Sequence, residues 1–492
     1  MRRIRRVLCV SAFFFPVFSA ATVASAPLPS PWHLDRINQQ QLPLDSNVSM
    51  GALTGAGIDI YIVDSGVLGS HEQFGGRVLA GIDIPSSLGD SVVNPETTDC
   101  DGHGTHVSAL AAGSTVGVAP GARIIAVRVL DCNGGGNVAD VVTALKWIRG
   151  HHRSGVAAVV NLSLGVDLGD NGVDIDKQVS ALIEEGVVVT VAAGNGDANS
   201  YPLNACDISP GDVARALTVG ATTITDSMAT YSNLGSCIDL LAPGGTNQRP
   251  VQSAWMTSPT SYENDVGTSM ASPLVAGYAA LLAQQQPGLC VDQIANAIIS
   301  RATVGVLTGV DPTTPNRMLF IDTAPVAVGV PGRPSHVVTS VENASVVASW
   351  DPPCDGGSAI TSTTVTLFRN GKVVARKLVA PGITTARFSG VKNNYQYQVV
   401  VKSRNAIGEG VTTKRFTTGL VRNLRVGLNT PLTDVARFGG DLKLTWNVFT
   451  SSRGVCTVVK GNVRFLRAGT CRVKLRTYTG ATPVLRSLRV SR

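Results

Sequence analysis

A chain of 492 residues has room for two to four domains, and beyond residue 26 no apolar run is long enough for a helical membrane span. The net charge of +7 hides a division: residues 1–325 hold 16 Lys/Arg against 28 Asp/Glu (net −12), and residues 326–492 hold 25 against 6 (net +19). Such asymmetry implies separate partners for the two parts, or a solvated basic face in the second.

The chain opens as an export signal over residues 1–26. Met1-Arg2-Arg3-Ile4-Arg5-Arg6 is a basic head, Val7 to Phe18 an apolar core, and Ala24-Ser25-Ala26 a small-residue cleavage site. A secreted product follows. Eight cysteines remain once Cys9 leaves with the signal, an even count that permits disulfides in an exported chain; none has paired zinc-site spacing. After the Pro-rich stretch Pro27–Pro31, residues 27–324 alternate strand and helix patterns. The buried-strand run Ile58–Val63 stops at Asp64-Ser65-Gly66, and Asp101-Gly102-His103-Gly104-Thr105-His106 opens a helix to about Ala112. Then come strand Ile124–Leu130, helix Val138–Arg149, strand Ala157–Leu164, helix Ile175–Glu185, and strands Val187–Ala193 and Leu217–Ala221. The turn Gly267-Thr268-Ser269-Met270-Ala271-Ser272-Pro273 feeds a buried helix, and a last helix runs Asp292–Arg301. This order implies an α/β fold, a mostly parallel sheet with helices on both faces and functional groups at the carboxyl ends of strands. Asp64, Ser163 and Asn195 stand at such ends. A Pro/Gly/Val linker (325–334) leads to short alternating strands over 335–419, an all-β sandwich pattern, and residues 420–492 form a small basic β-rich module.

Acyl transfer needs a nucleophile, a base, a group to orient the base, and donors for an oxyanion. Ser269 at a helix N-terminus suits a nucleophile, although a lone serine there is more often a helix cap. Asp64 and His103 change that balance, since the order Asp…His…Ser supplies all three side chains. The segments Ile62-Val63-Asp64-Ser65-Gly66, Gly102-His103-Gly104-Thr105-His106-Val107 and Gly267–Pro273 closely resemble the three active-site signatures of the subtilases, the subtilisin-like serine peptidases. The resemblance covers about residues 32–322. It implies a secreted endopeptidase in which Ser269 is the nucleophile, His103 the general base and then acid, and Asp64 the residue holding the histidine tautomer. His106, one turn on, receives a packing role rather than a zinc-ligand role. Val191-Ala192-Ala193-Gly194-Asn195 resembles the family segment whose asparagine completes the oxyanion hole. By the same resemblance an extended substrate lies between Leu130–Gly136, including Gly134 and Gly136, and Ser163-Leu164-Gly165. Gly165 with Ala192 to Gly194 lines the pocket for the residue before the cut. Small residues and no carboxylate there imply broad cleavage after apolar or aromatic residues.

The segments around Cys100, Cys132 and Cys237 resemble the proteinase K–aqualysin group, which implies bridges Cys100–Cys132 and Cys206–Cys237. Calcium is typical of that group. One implied site is Asp239 with the main-chain oxygens of Ala214 and Ala216; a second is Asp35, Asn38, Gln39, Asp45 and Asn47, though solvated surface polars explain these residues equally well. No catalytic cofactor is implied. Family members usually carry a folding pro-domain, whereas here Pro27–Pro31 alone separate the cleavage site from Trp32. Folding then needs no pro-domain, receives help in trans, or starts from an upstream gene start.

Trp350-Asp351-Pro352-Pro353, Tyr395-Gln396-Tyr397 and Asn405–Gly410 resemble a fibronectin type III domain, with Trp350 and Tyr395 as core residues. Cys456 and Cys471, in a block weakly similar to bacterial immunoglobulin-like repeats, are expected to pair, and Cys290 and Cys354 are left free or bridging domains. The basic C-terminal third is expected to space the enzyme or hold it near anionic cell-wall or surface polymers, as a monomer. Nucleic acid is disfavoured, since no recognised binding motif occurs.

Overall fold

A computed structural model of the chain describes residues 31–84, 98–152, 157–167, 172–342, 344–393 and 395–418, together with Arg6–Leu8 and short segments between 429 and 490. The expected signal segment lies outside the described residues apart from Arg6–Leu8, as does much of 420–492. Two compact units divide the chain, Met1–Val328 and Gly329–Arg492.

The first unit is built on a nine-stranded sheet. Its strands are β1 (Asp59–Asp64), β2 (Val78–Asp83), β3 (Arg123–Arg128), β4 (Ala158–Leu162), β5 (Val187–Ala192), β6 (Leu217–Thr222), β7 (Leu240–Pro243), β8 (Thr303–Val304) and β9 (Arg317–Met318). The spatial order is β2-β3-β1-β4-β5-β6-β7-β9-β8, parallel throughout except that β8 runs antiparallel to β9. β1, β4, β5 and β6 are buried along their whole length, which is why they read as continuous apolar runs rather than alternating ones. The helices are α1 (Trp32–Ile37), α2 (His103–Ala112), α3 (Val138–His151), α4 (Gly172–Glu184), α5 (Thr268–Gln285) and α6 (Val291–Arg301). α5 is buried from Thr268 to Ala283 and packs against β4, β5, β6 and α2. No helix among the described residues is long and apolar enough to cross a membrane.

Sheet order reverses direction at β1. The chain passes from β1 to β2 and β3 on one side, then crosses to β4 and β5 on the other. Such a switch opens a crevice at the strands' carboxyl ends, where Asp64, Ser163 and Asn195 fall.

The second unit contains a sandwich of two antiparallel sheets. One holds β10 (Ser335–Glu342), β11 (Ser345–Asp351) and β14 (Thr385–Ser389). The other holds β12 (Ser362–Arg369), β13 (Lys372–Val379), β15 (Gln398–Arg404) and β16 (Phe416–Thr417), in the order β13-β12-β15-β16. Its core includes Val346, Trp350, Val365, Leu367, Phe388, Tyr397, Val399 and Val401. One expectation is corrected. Tyr395 is 41% exposed and Tyr397, at 1%, is the core tyrosine, its hydroxyl donating to Lys392 O. The strand begins only at Gln398, so its alternation does not extend back to Tyr395.

Candidate active site

Asp64 is the last residue of β1 and His103 the first of α2, and both are buried. His103 Nδ1 lies 2.8 Å from Asp64 Oδ1, which also accepts from Ser65 N. A carboxylate on Nδ1 places the ring proton there and leaves the Nε2 lone pair for a substrate proton. The α2 N-terminus that aims His103 is held by Asp99. Its Oδ1 accepts from Ser65 Oγ, Asp101 N and Gly102 N, while its Oδ2 accepts from Thr105 N and Oγ1. Gly102 has φ +119°, and a Cβ there would meet the Trp255 ring at 2.3 Å. Burial raises the carboxyls of Asp101 and Asp265, both electrostatically coupled to His103.

Ser269 is the second residue of α5, fully buried, and its Oγ donates to Ser163 O at 3.3 Å. Pro273 stands four residues on and has no N–H to offer the Ser269 carbonyl. Ser163 Oγ fills that role, donating to Ser269 O at 2.9 Å. Ser163 Oγ in turn accepts from Asn161 Nδ2, whose Oδ1 accepts from Thr190 Oγ1 and Ser272 Oγ. A buried polar network thus ties β4, β5 and the first turn of α5 into one support.

Asn195 follows β5. Its Oδ1 accepts from Thr268 N at 2.9 Å and from Thr268 Oγ1 at 2.8 Å, which fixes the amide plane. Gly267 has φ +154°, and a Cβ there would stand 3.0 Å from Asn195 Nδ2, so the amide nitrogen faces the turn ahead of Ser269. Gly194 N donates to Thr268 Oγ1, and Asn233 Nδ2 to Ala193 O. Ala192 to Gly194 are thereby pinned beside Ser269. Leu164 is fully buried, and Gly165 faces Ile208. Gly135–Asn137 forms a strand edge just ahead of α3. It pairs antiparallel with Arg6–Leu8 through Arg6↔Asn137, Val7↔Gly136 and Leu8↔Gly135. The edge therefore accepts an extended chain; Gly134 takes the turn before it with φ +69°.

Asp99, Asn161, Thr190, Thr268 and Ser272 were not singled out from sequence as site residues. The available signals were a carboxylate four residues ahead of a helix start and a lone amide in the otherwise apolar run Ala158–Leu162.

The oxygen-rich residues from Asp35 to Asn47 come together where the end of α1 meets the loop that follows it. Asp35 is 2% exposed, with Oδ2 accepting from Ser46 N; Asp35 Oδ1 and Asn38 Oδ1 are buried without a partner. Asn38 Nδ2 bonds Asn47 O, Gln39 Oε1 accepts from Asp45 N, and Asp45 Oδ1 from Asn47 N. Burial raises the Asp35 carboxyl, and the neighbouring Asp45 adds to that. Asp239 lies elsewhere, at the start of β7. Its Oδ2 accepts from Thr218 N, and burial pushes its carboxyl up to about 6. Ala214 is exposed and Ala216 buried in the segment before β6. Among the described residues no three His, Cys, Asp or Glu gather into a metal-binding group.

Disulfides join Cys100 to Cys132 and Cys206 to Cys237. Cys290, Cys354 and Cys456 are also disulfide-bonded, so neither Cys290 nor Cys354 is free.

Residues 55–321 match the subtilase family model, and residues 332–419 match the fibronectin type III domain. The chain is 43% identical over 292 residues to an extracellular serine proteinase of Thermus sp. (strain Rt41A), a match covering 59% of this chain and 66% of that protein. It is 39% identical over 289 residues to alkaline serine exoprotease A of Vibrio alginolyticus, covering 59% of this chain and 50% of that one. The solved structure of a cold-adapted subtilisin-like serine proteinase aligns with a TM-score of 0.54 at 37% identity, covering 60% of this chain and 100% of its own. The chain thus spans between half and two thirds of the length of these curated relatives.

Proposed function

The chain belongs to the subtilase family, and from that premise we propose that it is a secreted serine endopeptidase acting through Ser269, His103 and Asp64. The observation that carries this reading is the buried 2.8 Å pair of His103 Nδ1 and Asp64, on the same crevice as a serine at a helix N-terminus. Ser269 Oγ attacks the scissile carbonyl while His103 Nε2 takes its proton. The tetrahedral oxyanion receives the Ser269 N–H and Asn195 Nδ2, each held in place before charge develops. His103 then gives its proton to the departing amine, leaving an acyl-enzyme that water attacks by the same steps. Asp64 keeps the imidazole in the required tautomer and stabilises its charged form.

Substrate lies as an extended strand along Gly134–Gly136 on one side and Ser163–Gly165 on the other. The small residues Gly165, Ala192 and Gly194 leave a wide pocket without a carboxylate, which favours apolar or aromatic residues before the cut. Strict cleavage of a peptide library after Lys or Arg would overturn that preference. Extracellular action is supported by the description of the Thermus relative as an extracellular serine proteinase.

The Asp35–Asn47 loop fits Ca²⁺. Two buried side-chain oxygens without partners and further amide oxygens, all hard donors, suit that ion, and a cation there would lower the raised Asp35 carboxyl. Asp239 with the main chain of Ala214 and Ala216 offers a second, sparser set. Such an ion is structural and supplies no step of the reaction. The basic residues of 326–492 attach the enzyme to anionic surface polymer.

The decisive experiment is labelling with a fluorophosphonate probe. Labelling that disappears in Ser269→Ala supports the reading; a folded parent protein that takes no label refutes it.

A further inference from the structure

The two sheets of the fibronectin-type sandwich carry very different charge. β10, β11 and β14 hold one Lys/Arg, Arg387, and His336 paired with Asp351, against Glu342 and Asp351. β12, β13 and β15, with the two residues ahead of β16, hold Arg369, Lys372, Arg376, Lys377, Lys402, Arg404, Lys414 and Arg415. From residue 362 to 417 the one acid is Glu409, which pairs with Lys402.

Strand alternation decides which of these point away from the core. Thr363, Val365, Leu367, Val399, Val401 and Ser403 are buried, so Thr364, Thr366, Phe368, Val400, Lys402 and Arg404 form the outer face. Arg376 pairs across β12–β13 with Thr366 and shares that face, as does Leu378, 73% exposed and opposite Thr364. On that face Arg415 stands 4.5 Å from the Phe368 ring centre; at the end of β12 Arg369, of the same parity as the buried residues, stands 4.7 Å from that of Tyr395. A stacked guanidinium gives up less freedom when it binds an oxyanion and keeps its forked donors turned outward.

We propose that the outer face of this four-stranded sheet is the part of the C-terminal region that binds the anionic polymer, and that the polymer is an acidic polysaccharide bearing carboxylates. This assignment rests on the attachment reading above. Three features select that ligand. The face is the outward side of a four-stranded sheet, so it suits a long chain lying across it. Arg376, opposite Thr366, and Arg404, opposite Ser362, lie on the two strands flanking β12, two inter-strand spacings across it and four residues apart along it, roughly 16 Å in all, so an extended polymer of several sugar units crossing the sheet obliquely reaches both. The rings of Phe368 and Tyr395 already carry guanidinium groups and offer no open platform for bases, which disfavours single-stranded nucleic acid. Leu378, Val373 and Val374 supply exposed apolar surface for the C–H faces of sugar rings.

The test uses the full chain carrying Ser269→Ala, to prevent self-digestion, and sodium alginate as the probe, with dextran as neutral polymer and duplex DNA as competitor. The parent is expected to bind alginate, not dextran, with affinity falling steeply as salt rises. Substituting Arg376, Arg404 and Arg415 together by Gln should weaken binding on the order of ten-fold at ~50 mM salt, three exposed charge contacts at modest strength each. The same three positions changed to Lys should lose less, since charge is kept and the stacked Arg415 fork is lost. A parallel variant neutralises Arg472, Arg476, Arg486 and Arg489. If that variant releases alginate and the sheet variant does not, the attachment reading stands and this assignment falls. If neither releases it, the attachment reading falls as well. Equal competition by DNA overturns the polysaccharide.

Discussion

His106 sets an acid limit on this fold. The ring is fully buried, Nε2 lies 3.2 Å from Val251 O, and Nδ1 is buried without a partner. The carbonyl requires the Nε2–H tautomer, so the next proton would arrive at the buried Nδ1. Burial first, and then the neighbouring His103, push its pKa down from 6.5 to about 3; His33, also buried, stands nearby, and the Trp255 ring closes the remaining side. A base whose folded pKa is depressed takes up its proton in the unfolded chain first. Its contribution to stability is therefore present above pH 6.5 and is lost as pH falls toward about 3. Between about pH 7.5 and pH 4.5 that loss is on the order of 3 kcal/mol, nearly all of it below pH 6.5, where the unfolded chain is protonated. Urea unfolding followed by tryptophan fluorescence at several pH values, in the Ser269→Ala background, measures it. His106→Phe keeps a ring against Trp255 and removes the titration. It adds a constant penalty of about 1–3 kcal/mol for the unpaired carbonyl, but its stability should fall less steeply with acid than the parent's. Parallel curves for the two proteins would refute the reasoning.

Four further outcomes follow from the geometry. Replacing Cys100 and Cys132 by Ser opens a loop of sequence separation 32 and should lower stability by roughly 3–4 kcal/mol in the chain-entropy account, read from the urea midpoint. Asn195→Ala should lower kcat about 10²–10³-fold with KM little changed, a range that comes from subtilisin rather than from this chain; an unaltered kcat removes Asn195 from the oxyanion site. Gly102→Ala puts a Cβ against Trp255 at a backbone angle L-residues disfavour, so it should destabilise by about 1–3 kcal/mol and reduce kcat by displacing His103. Chelator should lower the melting temperature of the parent and leave Asp35→Asn, already less stable, unmoved; equal sensitivity of the two places the ion elsewhere.

The parts legible in the sequence were those where chemistry and backbone constraint coincide in a few consecutive residues. Asp64 ends a strand buried on both faces, so the apolar run and its abrupt polar stop mark both the strand and the site. Gly267–Pro273 is legible because a Gly, a small nucleophile and a Pro in the second turn each answer a local requirement. The Pro273 requirement becomes intelligible only in three dimensions, where Ser163 Oγ replaces the missing helical donor on the Ser269 carbonyl. Asn161 shows the opposite case. It stands within Ala158–Leu162, and its partners are Ser163 just past the strand, Thr190 in β5 and Ser272 in α5. No periodicity brings them together; only the parallel register of β4 and β5 under α5 does.

Tyr395 and Tyr397 make the same point for the sandwich. They share parity, so alternation alone assigns both to the core, and the error lies in where the strand starts rather than in the pattern. With the strand beginning at Gln398, Tyr397 still reaches the interior, while Tyr395 turns out and takes the Arg369 guanidinium on its ring. Composition reports how many cations there are, but that eight of the eleven Lys/Arg of residues 326–419 fall on or beside one sheet follows from strand order. β13, β12 and β15 are neighbours in space although residues 380–397 intervene between β13 and β15 in the chain. A basic region is a weak argument for a partner, since a solvated face explains it equally well. A basic sheet beside a nearly neutral one in the same sandwich is a stronger argument, because solubility alone gives no reason to sort charge by sheet.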